Sequence, residues 1–280
     1  SEHSGLINGR DDSQPTSSPD RVDILTALFS SSAESRRNFS YLLSITSIAA
    51  IGGFLFGYDT GVIGGAALSF DDDFDLSDFE VSVVVSIALI GATIGALLTG
   101  RISDQYGRKI TIFGADVMFI IGASTLWAAK SVVWLYVGRF FVGIGIGAAS
   151  MVVPVYLAEI APEDFRGAIV ACNIFFVTFG QLVSYLFCLA FPDDWRITIG
   201  VIALIPAVIQ AVAIWFFPES PRWLVKMGHA VEAREVILKI RGAAPEDMEE
   251  EHEAVDREID NIKMAIQEEP DAPTAQLIKE

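Results

Sequence analysis

A chain of 280 residues that is 52% hydrophobic and yet carries a formal net charge of −17 does not read as one evenly mixed globule. Charge is sparse between Tyr41 and Phe217 and dense on either side, the pattern of a membrane domain with soluble flanks. The acidity argues against a nucleic-acid partner, because no basic stripe is available to neutralise phosphates.

In chain order, residues 1–40 read as a flexible polar tail. It opens SEHSGLINGRDDSQPTSSPD, with no apolar core of a signal peptide. Glu2 to Ile7 fits an acidic dileucine-type pattern, a short address for sorting adaptors. Residues 41–217 then hold six segments that meet the length of about 20 apolar residues needed to cross a bilayer. They are 41–68, 79–100, 110–129, 132–158, 168–191 and 197–217. SDFE, Ser77 to Glu80, has the form of a capping box opening the second span. Cys172 and Cys188 lie 16 positions apart on the fifth span, about 24 Å along a helix, too far to bridge each other. The expected fold class is therefore an all-α membrane protein, a six-helix transmembrane bundle followed by a helical module over 218–280.

Orientation follows from Lys and Arg. Arg36, Arg37, Arg101, Arg108, Lys109, Arg166, Arg222 and Lys226 fall on one side, against Lys130 and Arg196 on the other. Both termini are expected in the cytoplasm, and the sequon at Asn38 is expected to stay unglycosylated. Beyond the sixth span, His229 to Gly242 reads as a helix with Val236, Ile237 and Ile240 on one face and Gly242 as its stop. A second, acidic helix follows Pro245 with the stripe Val255, Ile259, Ile262 and Ile266, and Pro270 to Pro273 breaks it.

Three placements of charge carry chemistry. Asp59 lies in the first span within FLFGYDTGVIGG, and Arg139 in the fourth within WLYVGRFFVGIGIG. With opposite helix directions, both fall about 10–14 Å below the outer surface at 1.5 Å per residue. An intramembrane carboxylate and guanidinium at one depth suit each other, and an apolar pair would hold two helices at less cost. Arg139 is always charged, so Asp59 is the group that can switch: paired it keeps its charge, separated in an apolar setting it takes a proton. A proton crossing 100 mV with one pH unit releases about 3.7 kcal/mol, enough for roughly several-hundred-fold accumulation of a neutral solute.

The third placement is a ring of charge at the cytoplasmic helix ends, with GRISDQYGRK (Gly100 to Lys109), Glu159 with Arg166, and Glu219 with Arg222. Gly107 and Gly167 are expected to make tight turns there. On the fifth span Asn173, Gln181, Ser184 and Cys188 share one face, which either packs on a helix or lines a wet cavity, and the cavity is the expectation. GIGIG, Gly143 to Gly147, reads as close helix packing, as do Gly91 to Gly95. Asp116 has no evident role beyond a pairing with the loop basics. His3, His229 and His252 show no ligand spacing, so no metal site is expected. No catalytic constellation is present, and the chain is not expected to be an enzyme.

GRISDQYGRK resembles the loop between the second and third spans of the major facilitator superfamily. GFLFGYDTGVIGGA, VGRFFVGIGIGAA, PVYLAEIAPEDFRG and PESPRWL resemble its sugar porter branch, and GQLVSYL with DDWRITIGVIALIPAVIQ resembles the proton-coupled myo-inositol transporters within that branch. The resemblance implies the N-terminal half of a twelve-helix fold, working by alternating access as a proton-coupled symporter of a neutral polyol or sugar. Under it Asp59 is the proton-binding aspartate and Arg139 its partner. Gln181 and Phe56 meet substrate, with Asn173 and Ser184 on the same face as Gln181. Asp104, Arg108, Glu159, Arg166, Glu219 and Arg222 form the cytoplasmic gate network. No cofactor is implied beyond the proton. The implied partners are the lipid bilayer, myo-inositol or a hexose, and a C-terminal six-helix half supplied by the same gene, a split chain or a second copy. A sugar sensor or regulatory half-transporter, or a facilitative carrier, are the other readings. The plasma membrane is the expected address, with an endolysosomal or vacuolar membrane as the alternative.

Overall fold

A computed structural model describes residues 40–162, 165–242 and 248–268, with backbone alone at 68–72, 248–251 and 268. Glu2 to Ile7, Asn38, His3, Pro245 and the Pro270–Pro273 break lie outside the described residues. The described residues are helical and include no strand. The first six helices are long and apolar enough to cross a membrane. They are α1 (Ser40–Ala67, helical onward to Phe74), α2 (Asp78–Tyr106), α3 (Arg108–Trp127), α4 (Val132–Ile160), α5 (Arg166–Ala190) and α6 (Ile197–Phe216). Three shorter or polar helices follow: α7 (Pro221–Lys226), α8 (Ala230–Arg241) and α9 (Met248–Glu268).

Helix ends follow local chemistry. Ser77 and Glu80 form the reciprocal capping box at α2, with the Ser77 N–H donating to Glu80 at 2.9 Å. α2 runs past Gly100, where the sequence places its end, and stops only at Gly107. Gly107 has φ 99°, a region closed to most side chains, and α3 begins at the next residue. The expected loop GRISDQYGRK is therefore mostly the last turns of α2. Gly167 makes no turn but sits in the first turn of α5. The acidic segment after α1 likewise stays helical to Phe74.

α4 is the hub. α2 and α3 lie against it on two sides, α1 pairs with α5, and α6 backs α3 and α1. The glycines read as packing residues do seat helices closely. A Cβ on Gly143 would lie 2.2 Å from the Ala88 carbonyl oxygen, and one on Gly147 1.9 Å from that of Ala92. Large apolar side chains of α2 and α5, such as Leu97 and Leu189, face outward, as lipid contact requires.

The module beyond α6 has its own small core. Val255 and Ile259 of α9 are buried against Leu224, Val225, Ala233 and Ile237, with Ile262 and Ile266 partly buried along the same stripe. Arg234 and Arg241 of α8 pair with Asp256 and Glu258 of α9. Ile240 instead joins the core of the bundle, so α8 ties module and bundle together. Gly242 closes α8 in the left-handed conformation, as the sequence leads one to expect.

Candidate functional site

Asp59 and Arg139 meet in a direct ion pair between α1 and α4, both buried at 8% and 2% exposure. Gly138, beside Arg139, lets Leu126 of α3 close in behind the arginine. The pair opens on a cavity of 150 Å³ among α1, α2 and α4, lined by Phe56, Thr60, Ile63, Val85, Leu89 and Ile146. Apart from Asp59, Arg139 and the Thr60 hydroxyl, that lining is apolar.

The polar stripe of α5 divides. Asn173 and Ser184 are buried in the seam with α1, against Gly53 and Gly61, and Cys188 lies on Gly65 with its thiol 3.8 Å from the Val62 carbonyl oxygen. The expectation of a cavity face is corrected for Asn173 and Ser184, which small residues on α1 draw so near that they pack on helix, whereas Cys188 also lines a cavity of 180 Å³ with Gly65, Trp195 and Thr198. Gln181 is half-buried beside them. Both cysteines are free and separate, as their spacing requires.

The charge ring is assembled, with partners the sequence does not show. Arg108 lies along Glu159 in a two-point fork, Nε to Oε2 at 2.8 Å and Nη2 to Oε1 at 3.0 Å, and its Nη1 reaches Asp104 at 3.1 Å. Glu219 accepts backbone N–H groups of Arg108 and Lys109 at 3.1 Å, acting as the cap of α3. Burial pushes the Glu219 carboxyl up from its ordinary value, opposed by those N–H donors and by that of Ser220. Glu159 is thus paired with Arg108 rather than Arg166, whose Nε donates to the Ala158 carbonyl at 3.0 Å. Arg222 lines two cavities beneath the ring, one of 260 Å³ with Asp104 and Lys226, and one of 450 Å³ with Arg166 and Glu258.

Sequence reasoning missed four members of this ring. Ser220 donates to Glu159 while capping α7, and Lys226 pairs with Asp104 at 3.3 Å. Tyr156 donates to the Pro218 carbonyl and Trp223 to that of Asp104. The serine before Pro221 is a visible cap signal; Tyr156 has none. At the other end, Asp73 accepts from Trp195 and Arg196, which hold its carboxyl below the usual range. Asp116 makes no ion pair among the described residues, and its Oδ2 is buried without a partner, so the suggested pairing with loop basics does not form. His229 is half exposed and meets Glu232, and no metal-binding cluster occurs among the described residues.

A family model described as sugar (and other) transporter matches residues 45–280. The chain belongs to the sugar transporter family. A probable inositol transporter 2 of Arabidopsis thaliana is 43% identical over 245 residues, covering 85% of this chain and 41% of that protein. The proton myo-inositol cotransporter of Homo sapiens is 40% identical over 235 residues, covering 82% and 34%. The chain thus spans roughly two-fifths or less of the length of these curated relatives. Among solved structures, the major facilitator proton:xylose symporter XylE bound to 6-bromo-6-deoxy-D-glucose superposes with a TM-score of 0.76 at 31% identity, covering 86% of this chain and 56% of that one. This sugar transporter family member is a multi-pass integral membrane protein with the architecture of a major facilitator N-terminal half.

Proposed function

We propose that the chain forms the N-terminal half of a proton-coupled symporter that moves a neutral polyol or sugar by alternating access, with both termini in the cytoplasm. The observation that carries this reading is the buried Asp59–Arg139 pair in a member of the sugar transporter family. Asp59 holds the proton when its helix parts from Arg139, and yields it when the pair re-forms. Phe56 and Gln181, both partly exposed, meet the substrate; Asn173 and Ser184 set the α1–α5 spacing behind them. The Arg108–Glu159–Glu219 ring, with Asp104, Arg166 and Arg222, latches the cytoplasmic side when the outer side is open. Similarity to plant and human inositol transporters favours myo-inositol over a hexose. The second six-helix half completes the substrate site.

The test is uptake of labelled myo-inositol and glucose into proteoliposomes under an inward proton gradient, with the chain alone and joined to a second half from its family. Gradient-driven accumulation that Asp59→Asn abolishes is the expected result. Accumulation that survives Asp59→Asn removes the coupling role, and unchanged apparent affinity in Gln181→Ala removes that residue from the substrate site.

A further inference from the structure

Three consecutive residues of α1 meet three different helices. Successive side chains on a helix point about 100° apart, so neighbours in sequence face different partners. Gly57 faces α5, where a Cβ would lie 1.8 Å from the Val177 carbonyl oxygen. Tyr58 faces α6, its hydroxyl donating to the Thr198 carbonyl at 2.6 Å across 140 positions of sequence. Asp59 faces α4 and pairs with Arg139. The rotation of α1 about its own axis therefore sets all three contacts together.

The three contacts do not constrain that rotation equally. Gly57 has no side chain, so it sets how near α5 comes rather than which way α1 faces. Asp59 borders the 150 Å³ cavity, which leaves α1 room to turn on that side. Tyr58 is the directional contact. It is 1% exposed, its ring is stacked on Phe54 with centroids 6.0 Å apart, and a buried hydroxyl needs its acceptor. That acceptor lies in the π turn Ile197–Val201, an element frequent at functional sites. Thr198 also borders the 180 Å³ cavity beside Cys188 and Trp195. With open space next to the turn, the hydroxyl bond rather than packing ties α1 to it. The other tie to α6, Gln210 Nε2 to the Ala49 carbonyl at 3.0 Å, lies about 13 Å nearer the cytoplasm along α1.

We propose that Tyr58 is a positioning residue for the proton site: its hydroxyl, held by Thr198, sets the rotation of α1 that aims Asp59 at Arg139. The inference rests on the transport reading for the task of Asp59, and on geometry alone for the part Tyr58 plays. Around that carboxylate, α4 brings Arg139, and α2 brings the apolar Val85, Ala88, Leu89 and Ala92. α5 brings the Cys188 thiol, which lies one turn further out at the Val62 carbonyl, and α6 brings the Thr198 carbonyl that Tyr58 takes. Arg139 is thus the charge that Asp59 must face, and Tyr58 is the neighbour whose bond keeps it facing that way.

The experiment is Tyr58→Phe, which removes one oxygen and keeps the ring on Phe54. Infrared difference spectra of the full chain in lipid nanodiscs, taken across a pH series, give the Asp59 carboxyl band as the part that Asp59→Asn removes. Tyr58→Phe is expected to displace the pH profile of that band by about half a unit or more toward alkaline buffer, roughly threefold in proton affinity, because a slackened pair yields to the proton sooner. Gln210→Leu cuts the inner tie between the same two helices and is expected to leave the profile in place. A Tyr58→Phe profile that coincides with the parent overturns the proposal, as does a Gln210→Leu profile displaced equally far, or the lack of any band that Asp59→Asn removes. In the chain joined to a second half, Tyr58→Phe is expected to lower proton-driven accumulation severalfold while downhill exchange stays near the parent rate. A displaced band in a transporter whose accumulation survives Asp59→Asn removes the coupling role and leaves the positioning role standing. An unmoved band where Asp59→Asn abolishes accumulation does the reverse.

Discussion

Arg108 and Glu159, 51 positions apart in sequence, meet fork to fork at 2.8 and 3.0 Å at the ends of two different spans. Both side chains are about nine-tenths buried. Removing one member leaves the other as an uncompensated charge, so Arg108→Ala is expected to cost about 3–5 kcal/mol. Arg108→Lys keeps the charge but loses the planar fork, and should fall between that variant and the parent. Thermal unfolding in detergent should give melting temperatures in the order parent, Lys, Ala.

Glu219 sets a pH dependence. Its native value is raised above the ordinary 4.5 by burial, so the folded state holds this proton to higher pH than the unfolded chain does. Stability from this group is therefore greatest at low pH and declines as pH rises from 4.5 through the raised native value. The difference in melting temperature between parent and Glu219→Gln should narrow or reverse across that window, and stay flat above it.

The α1–α5 seam should tolerate nothing larger than glycine at its centre. Gly57→Val drives a side chain into the Val177 backbone and is expected to destabilise by at least about 1–3 kcal/mol. Gly64→Ala, with nothing within 4 Å of the new methyl, should melt like the parent.

Asp116 is expected to behave in the opposite sense. Its Oδ2 is buried with no partner among the described residues, so Asp116→Leu, of similar size and apolar, should raise stability by about 1–3 kcal/mol. A lower melting temperature would mean that the carboxyl has a partner in the membrane.

In the module, Ile259 is buried between α9 and α7–α8. Ile259→Ala is expected to cost about 2–5 kcal/mol locally and to release α9. Limited proteolysis should then cut within 248–268 while the helical circular dichroism of the bundle persists.

What the sequence determines by itself is what local pattern controls. Six apolar runs of spanning length, the Ser77 capping box, the Gly242 stop and the α9 stripe can each be read within one turn or one helix, and each is present in the fold. The Asp59–Arg139 pair was legible as well, because depth in a bilayer is a length along a helix and two charges at one depth have few other partners. Where a helix ends was less so: α2 runs on to Gly107 because ISDQY holds no Gly or Pro to break it. Which charge meets which was decided by tertiary packing alone. Glu159 turns to Arg108 rather than Arg166, and Glu219 caps α3 from 111 positions away, because bundle geometry brings those ends together. The same holds for Asn173 and Ser184, whose polar stripe reads alike for a wet cavity and a tight seam. Only the approach of α1, made possible by glycines on another helix, places them in the seam.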